Sequence, residues 1–488
     1  MRTTFGADFF NRRADAFNDT ITSIARQNSN LPTASINTNS RVTLNMSNVL
    51  TFNFNKSGTR FSRKNSLDVL LGQEVFDNRT RDYLIETRYF PAGITAKAAL
   101  GNMSLGSAPS GSTQPPPRSE ELTNRIFSLF GKIGYAYDDK YLATLTMRAD
   151  GSSKFAENNR WGYFPSVALA WRVSKEKFME GLYPAISDMK FRVSYGEAGN
   201  NRIADFLYVT QFEPIAFYSI NNQLITAFRS PSLANANLVW ETTVARNLGI
   251  DVSFFKDRIN LTADFYRNTT RDLLVNVPVP TSSGYTTQIQ NVGSTRNQGV
   301  EIQLSARPIV RKNFQWNSSF NISFNKNKIV SLGQFQDAYL FSSGWGGSNQ
   351  PADYLVKVGQ PVGTIWGLVT DGWYTLDDFN FANGVYTLKQ GVPNNQSVTA
   401  TNPQPGMLKF KDLNGDGVVN DLDRTIIGNT QPKFFGGFNN QFSYKNFDLS
   451  VFLNFQYGNQ VYNANKLEFT SGYTVNSNLL TTMNNRWK

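Results

Sequence analysis

The sequence predicts an all-β fold of the transmembrane antiparallel β-barrel class. Three observations lead to this prediction. Apolar and polar residues alternate with a period of two along most of the 488 residues, as expected for strands with one apolar and one polar face. No apolar run approaches the roughly 20 residues of a membrane-spanning helix. The links between predicted strands are either short turns or long polar loops, as in outer-membrane barrels.

The alternation gives each predicted strand two chemically different faces. In the segment 141–150, Leu145 and Met147 alternate with Thr146 and Arg148. Charged residues at every second position favour a wet, polar lumen opposite an apolar outer face. We count roughly 15–18 strand candidates, within boundary errors of a few residues. Other segments with this pattern are 167–173, 191–196, 248–254, 259–265 and 447–457.

Turn chemistry marks the short links, and glycine, serine, proline and asparagine mark the long ones. Asp138–Lys140 and 255–258 are predicted tight turns, and Lys445–Asn446 joins two strands predicted at 434–444 and 447–457. Loops as long as the others are uncommon in compact domains unless they have a function. The predicted long loops lie at about 11–40, 77–120, 332–350 and 372–430.

Composition excludes several function classes. The chain contains no Cys and no His, which removes thiolate nucleophiles, imidazole metal sites and every His-based triad. The net charge is +11, but Lys and Arg are scattered, so the charge does not predict nucleic-acid binding. Aromatic residues make up 14% of the chain, which suits the interface girdles of a membrane barrel or surfaces that stack on sugars.

An acidic, glycine-rich segment between residues 412 and 423 matches the spacing of a calcium loop. Hard oxygen ligands at alternate residues let one turn wrap one cation, and Gly417 supplies the sharp turn. The twelfth position is Asp rather than the usual Glu, and no amphipathic helix flanks the segment. An Asx-rich turn without metal is the alternative interpretation. The candidate Ca²⁺ ligands are Asp412, Asn414, Asp416, the Val418 carbonyl, Asn420 and Asp423.

The sequence does not predict an enzyme. Glu197, Glu241, Asp264 and Glu301 lie on polar strand faces, but nothing in the sequence brings two of them to the separation that glycoside hydrolysis requires. We expect them to be lumen-facing or ion-paired instead.

Several motifs, spread in order from about Tyr135 to Tyr462, resemble the SusC/RagA-type TonB-dependent transporters of Bacteroidota outer membranes. Each motif is weak alone, but together they are highly specific. They are Asp150–Phe155, Arg160–Ser166, Met189–Gly196 with Gly199–Asn200, Trp240–Thr243, Asn247–Gly249, Asn291–Gly293, Asn297–Glu301, Asn325–Ile329, Asp412–Gly417, Asp423–Arg424, Ile427–Asn429 and Pro432–Phe434.

The resemblance implies a barrel of 22 strands in the cell outer membrane, plugged by an N-terminal domain. Such a transporter imports glycans or oligopeptides beneath a SusD-like lipoprotein and is driven by TonB. We expect the 488 residues to be one barrel domain in part, because no signal peptide, TonB box or plug precedes Met1 and the closing strands of the family do not follow Lys488.

Within this interpretation, the long loops capture the ligand and the polar lumen passes it. Trp345 and Trp373 are the candidate substrate-binding residues, and Arg148, Arg172 and Arg192 are the expected lumen-facing residues that set selectivity. The alternative is a secreted β-rich carbohydrate-binding or adhesin module with a calcium loop. That alternative requires the apolar strand faces to be buried between sheets, whereas the transporter requires them to face lipid.

Overall fold

The protein is all-β in a computed structural model that describes residues 1–54, 64–221, 223–333, 337–345, 352–471 and 478–485. The described residues form 25 strands and four short α-helices. Within them, no helix combines the length and the apolarity that crossing a membrane would require. The helices are α1 Ser23–Gln27, α2 Ala96–Gly101, α3 Gln396–Thr399 and α4 Ala464–Ser471.

In chain order, the first fifteen strands are β1 Arg2–Asn18, β2 Thr33–Asn53, β3 Asn65–Thr87, β4 Arg118–Tyr137, β5 Tyr141–Ser152, β6 Trp161–Arg172, β7 Ile186–Asn200, β8 Glu213–Ile220, β9 Gln223–Arg229, β10 Glu241–Phe254, β11 Ile259–Arg271, β12 Leu274–Pro278, β13 Thr287–Asn291, β14 Ser294–Arg311 and β15 Phe314–Ser331. The others are β16 Ala338–Phe341, β17 Tyr354–Lys357, β18 Thr364–Gly367, β19 Thr370–Trp373, β20 Phe379–Ala382, β21 Val385–Leu388, β22 Leu408–Phe410, β23 Thr425–Asn429, β24 Phe434–Tyr444 and β25 Phe447–Tyr457.

Thirteen of these strands form one sheet, in the order β1-β2-β3-β4-β5-β6-β7-β10-β11-β14-β15-β24-β25. Strands that follow one another along the chain are neighbours, except where short strands intervene. Those short strands pair among themselves in five small sheets: β8-β9, β12-β13, β16-β17-β18-β23, β19-β22 and β20-β21. The small sheets therefore lie within the long connections of the large one.

The residues divide into two compact units. The first unit comprises residues 1–170, 195–243 and 272–291, and the second comprises 171–194, 244–271 and 292–488. In the first unit, β1 to β5 pair antiparallel in sequence order. In the second unit, β11, β14, β15, β24 and β25 do the same.

The two faces of the strands differ as the alternation predicts. Leu145 and Met147 of β5 are 54% and 45% exposed, whereas Thr146 and Arg148, which alternate with them, are half-buried. The side chain of Arg148 is ion-paired. In β25, Leu449 and Leu453 are also more than half exposed. We call these two surfaces the apolar face and the polar face. A face that leaves large apolar side chains uncovered requires an apolar environment.

The predicted turns are confirmed. Asp138 and Asp139 of the three-residue link 138–140 both have positive φ, at 52° and 54°, a conformation that Asp tolerates in tight turns between strands. The hairpin predicted at 434–457 is also present, with Phe434 opposite Tyr457 and Tyr444 opposite Phe447. Local residue chemistry was sufficient for these links because each spans only two to four residues.

The predicted bounds of the loop at 11–40 are wrong, because β1 continues to Asn18 and β2 begins at Thr33. The connection is residues 19–32. The loop predicted at 77–120 is likewise only 88–117. The extra strand residues are mostly polar, and polar pairs continue the ladder: the Asn39 Nδ2 donates to Asp82 at 3.2 Å. Beyond the apolar region both faces can be polar, so the alternation stops before the strand does.

The segment predicted as a loop at 372–430 contains β20, β21, β22, β23 and α3. The predicted loop at 332–350 contains β16, while 334–336 and 346–350 lie outside the described residues. The count of 15–18 strands was therefore too low. Strands of three to five residues show too few repeats for a period of two to be recognised.

Candidate functional site

Four buried side chains form a hydrophobic cluster against which the long connections of the first unit pack. We call Phe155, Phe164, Leu238 and Trp240 the loop core; Phe155 and Leu238 are fully buried. The Trp240 ring lies 5.4 Å from that of Phe155 and 5.5 Å from that of Phe164. Partly buried side chains from two connections, 201–240 and 272–293, pack against this core, and they are Ile203, Leu207, Leu274 and Ile289.

Hydrogen bonds fix the loop core in place. The Trp240 Nε1–H donates to the Arg160 carbonyl oxygen at 2.8 Å. The Lys154 Nζ donates to the Ile203 carbonyl oxygen at 2.6 Å and lies 3.8 Å from an Asp205 carboxylate oxygen. The connection 201–240 is thereby attached to the residues that follow β5.

The side chain of Asn291 joins two further connections. Its Oδ1 accepts the Val239 N–H at 2.9 Å, and its Nδ2 donates to the carbonyl oxygens of Val239 and Asp272, each at 2.9 Å. One amide therefore satisfies three backbone groups in the manner of a strand partner. Phe155, Trp240 and Asn291 all belong to motifs that the sequence analysis identified. In the structure, these three residues connect the long loops to one another and to the strands.

A cavity of about 440 Å³ lies beside the loop core. Leu207 and Ile289, which pack on that core, also line the cavity. The sequence did not predict this cavity, because its walls come from two separate connections, 201–240 and 272–293. The other lining residues are Arg229, Ser230, Pro231, Ser232, Leu233, Asn276, Gly284, Tyr285, Thr286, Thr287 and Gln288.

This lining offers both apolar contact and hydrogen bonds. Leu207, Leu233 and Ile289 are apolar, whereas Asn276 and several hydroxyl-bearing side chains are polar. Arg229 is ion-paired with Glu213 at 3.0 Å. A site of this kind suits a neutral, hydroxyl-rich or amide-rich ligand with some apolar surface.

The three arginines predicted to face the lumen all lie against carboxylates. Arg148 contacts Asp150 at 2.7 Å and Glu74 at 3.1 Å. Arg172 lies 3.3 Å from Asp188. These pairs balance charge locally on the polar face and also order its side chains.

Arg192 holds the densest of these networks. Its guanidinium contacts both oxygens of Asp251, at 2.8 and 3.1 Å, and also reaches Asp264 at 3.1 Å. Lys190 lies 3.0 Å from Asp251, and Asn247 donates to Asp264 at 2.9 Å. Asp264, which the sequence placed among the candidate acids, is therefore ion-paired as expected.

The acidic loop closes through bonds between its carboxylates and its own backbone. Asp412 accepts the N–H groups of Gly415 and Gly417, each at 2.7 Å. Asp416 accepts the Val418 N–H at 2.8 Å, and Asn414 accepts the Asp416 N–H at 3.0 Å. No group of three or more Asp or Glu side chains has a metal-binding arrangement within the described ranges. The Ca²⁺ site stays a prediction.

Asp423 closes the far end of this loop. It is fully buried and accepts the N–H groups of Asn420 at 2.8 Å and Leu413 at 2.7 Å. These backbone hydrogen bonds, with that of Asn420 first, lower the pKa of Asp423 below its ordinary value. Asn420 in turn caps the next turn by accepting the Leu422 N–H. Both residues therefore have a defined structural role.

The two candidate substrate-binding tryptophans lie in different parts of the connection 332–433: Trp345 follows β16 outside any strand, and Trp373 is in β19. Trp345 is half-buried, and its ring lies 6.4 Å from that of Tyr462, which also contacts Tyr354. Trp373 ends β19 and is 48% exposed. The structure gives them separate surroundings, and substrate contact by either one stays a prediction.

The chain matches the family described as TonB dependent receptor-like, beta-barrel, over residues 2–488. The chain belongs to this family. The predicted resemblance, the β-barrel fold class and the outer-membrane location are thereby confirmed. Membership of this receptor family also confirms the expectation that the chain is not an enzyme.

Curated members of this receptor family are similar to the chain in sequence. TonB-dependent receptor P39 of Formosa agariphila is 36% identical, covering 70% of this chain and 34% of that receptor. TonB-dependent receptor SusC of Bacteroides thetaiotaomicron is 33% identical, covering 70% of this chain and 32% of SusC. The chain thus spans about a third of the length of these relatives.

The RagAB peptide transporter has a similar structure, with a TM-score of 0.76 over 100% of this chain and 49% of that one. The RagAB peptide importer in its "open-open" state gives 0.71 over 94% of this chain and 45% of that one. Sequence identities are only 20% and 21%. This similarity supports the receptor-barrel fold and carries no information about the ligand.

Proposed function

We propose that the protein takes part in TonB-dependent import of glycans or oligopeptides across the outer membrane, with a SusD-like surface lipoprotein as partner. The observation that carries this proposal is the division of the strands into an exposed apolar face and an ion-paired polar face, in a chain that the receptor family matches over residues 2–488. Lipid can cover the first face, and a hydrated path can follow the second.

The cavity beside the loop core supports ligand capture by the long connections. Its mixed lining suits the hydroxyl groups of a glycan and the amide groups of a peptide. Both substrate classes are therefore kept in the proposal. Similarity to a peptide transporter at 20% identity favours neither class.

The proposal is tested by uptake in the native host. Deletion of the gene is expected to abolish growth on at least one glycan or peptide source, and an uncoupler that dissipates the proton gradient should stop uptake in the wild type. Co-purification of a SusD-like lipoprotein with a tagged copy tests the partner. Growth of the deletion strain on every tested glycan and peptide at the wild-type rate would contradict the proposal.

A cavity-filling variant tests the site separately. Thr287 lines the cavity, so Thr287→Trp is expected to weaken uptake by raising the half-saturating ligand concentration, with little change in the maximal rate. Thr210→Trp is the matched control, because Thr210 is exposed in the same unit and does not line the cavity. Equal uptake by both variants would place ligand capture elsewhere.

The exposure of the apolar strand faces argues against the alternative secreted module. That module requires the apolar strand faces to be buried between sheets, yet Leu145 and Leu453 are each more than half exposed in the structure. No second sheet covers them among the described residues.

We also propose, from spacing alone, that the acidic loop binds Ca²⁺. The hydrogen bonds that Asp412 and Asp416 accept leave each carboxylate oxygen a second lone pair. Calcium titration of the intact protein should slow proteolysis of this loop, and the change Asp412→Ala with Asp416→Ala should remove the effect. Asp371→Ala with Asp377→Ala is the control, since both residues are exposed outside the loop. Identical responses in all three proteins would refute calcium binding.

A further inference from the structure

The register of β11, β14 and β15 arranges their apolar-face residues in rows. Phe265 lies opposite Val300, which lies opposite Phe324. These three side chains are 53%, 37% and 41% exposed. Two further apolar rows continue the pattern along the strands, and they are Ala263–Ile302–Ile322 and Leu261–Leu304–Phe320.

On the other side of the Phe265 row, toward the long connections, the residues of this face change from apolar to polar and basic. The row after Phe265 consists of Arg267, Gln298 and Lys326, and the next row consists of Thr269, Arg296 and Lys328. Successive rows lie roughly 7 Å apart, because strands rise about 3.4 Å per residue and every second side chain shares a face. We call Arg267, Arg296, Lys326 and Lys328 the cationic patch.

No acidic side chain neutralises this patch from the same two rows. None of their six positions is Asp or Glu. In the described part of the chain, no ion pair involves any of the four cations. Arg296 makes only a 3.4 Å contact to the Thr269 hydroxyl. Arg296 and Lys328 lie directly opposite each other, and like charges in that arrangement destabilise a sheet. An external anion would relieve this repulsion.

The position of the patch identifies the anion. The cationic patch lies where β11 and β15 enter the long connections 272–293 and 332–433, and long connections of outer-membrane barrels are extracellular. It directly follows three apolar rows on the lipid-facing side. Cations at that boundary face the headgroups of the outer leaflet, where a phosphate can be reached from several strands at once.

We propose that the cationic patch binds the phosphate groups of an anionic lipid headgroup in the outer leaflet. The apolar rows contact the acyl chains of the same lipid while the four cations contact its phosphates. None of the four cations lines the ligand cavity, and the proposal does not depend on the identity of the imported substrate.

Native mass spectrometry of the intact detergent-purified protein tests the proposal, with diphosphorylated lipid A as the probe. The wild type is expected to retain the lipid. Arg296→Gln with Lys328→Gln should bind it about 25-fold more weakly, from a roughly fivefold loss for each cation near an anionic lipid surface. Raising the salt concentration should weaken wild-type binding further. Lys256→Gln with Lys312→Gln, in two short turns at the other ends of these strands, is the charge-matched control.

Three outcomes would overturn the proposal. Equal lipid retention by the wild type and the patch variant would show that the cations do not bind it. Equal retention of the dephosphorylated lipid would assign binding to the apolar rows alone. Full competition by inorganic phosphate at equal concentration would make this a free-phosphate site. If the double variant fails to refold, Lys326→Gln and Lys328→Gln are measured singly, each with an expected loss of about fivefold.

Discussion

Trp240 provides the most direct test of the loop core. Two changes separate its contributions: Trp240→Phe removes the Nε1–H donor but keeps an aromatic ring, and Trp240→Ala removes both. The Arg160 carbonyl that accepts this bond also accepts the Ser152 N–H at 3.1 Å. It is therefore not left unsatisfied in the Phe variant, and the lost bond should cost about 1 kcal/mol.

Packing of the indole ring contributes more to the stability of the loop core than its hydrogen bond does. A smaller phenyl ring leaves space against Phe155 and Phe164, which adds about 1 kcal/mol and brings the total for Trp240→Phe to about 2 kcal/mol. Complete truncation of a side chain that is only 8% exposed should cost about 3–5 kcal/mol. A cost of 1.4 kcal/mol is a factor of about ten, so loop opening should rise roughly 30-fold for Phe and more than 100-fold for Ala.

Limited trypsin digestion measures this opening, because cleavage follows the open population when closing is fast. Arg202 and Arg229 lie in the connection 201–240 and are the reporting sites. Trp373→Phe is the control, since an exposed side chain in the other unit should change stability by less than about 0.5 kcal/mol. Cleavage of Trp240→Ala at the wild-type rate would refute the assignment of these four residues as a core.

Three further predictions concern the second unit. Arg192→Leu leaves two half-buried carboxylates without their shared guanidinium, so it should lower stability by about 2 kcal/mol; an unchanged thermal midpoint of the folded gel band would contradict this. The pKa of Asp423 is lower in the folded than in the unfolded state. The ionised carboxylate therefore stabilises the fold fully above the unfolded pKa of about 3.9, and this contribution is lost as the pH falls through the folded pKa. Hydrogen exchange of residues 408–430, corrected for the intrinsic rate, should therefore accelerate only in acid, and Asp423→Asn should exchange faster at neutral pH and lack the acid step. Gly299→Ala would place a Cβ 2.1 Å from the Phe324 carbonyl oxygen and should reduce refolding yield sharply, whereas Gly134→Ala meets nothing closer than 4.0 Å and should refold normally.

Much of the fold could be predicted because its signal is local. The alternation of Leu145 and Met147 with Thr146 and Arg148 gives the two faces of β5 without knowledge of any neighbour. Turn residues such as Asp138 and Lys445 likewise report their own backbone conformation. The strand ends beyond residue 11 and before residue 40 were missed, because polar cross-strand pairs continue the ladder there after the local alternation has stopped.

The candidate site was predicted less completely. Trp240 and Asn291 were recognised as members of motifs, but their contacts with Arg160 and Val239 join segments far apart in the chain. The cavity arises from the same non-local packing. The calcium-loop spacing was visible in the sequence, whereas the use of its carboxylates as backbone acceptors depends on the folded turn.

The sequence by itself determined the strand chemistry, the tight turns and the family. It could do so because side-chain period and turn conformation depend on residues only a few positions apart. The tertiary structure alone decided the register that places Arg267, Arg296 and Lys328 together beyond a shared apolar row. Register joins residues 30 to 60 positions apart in the sequence, and a shift of one residue would move each cation to the other face.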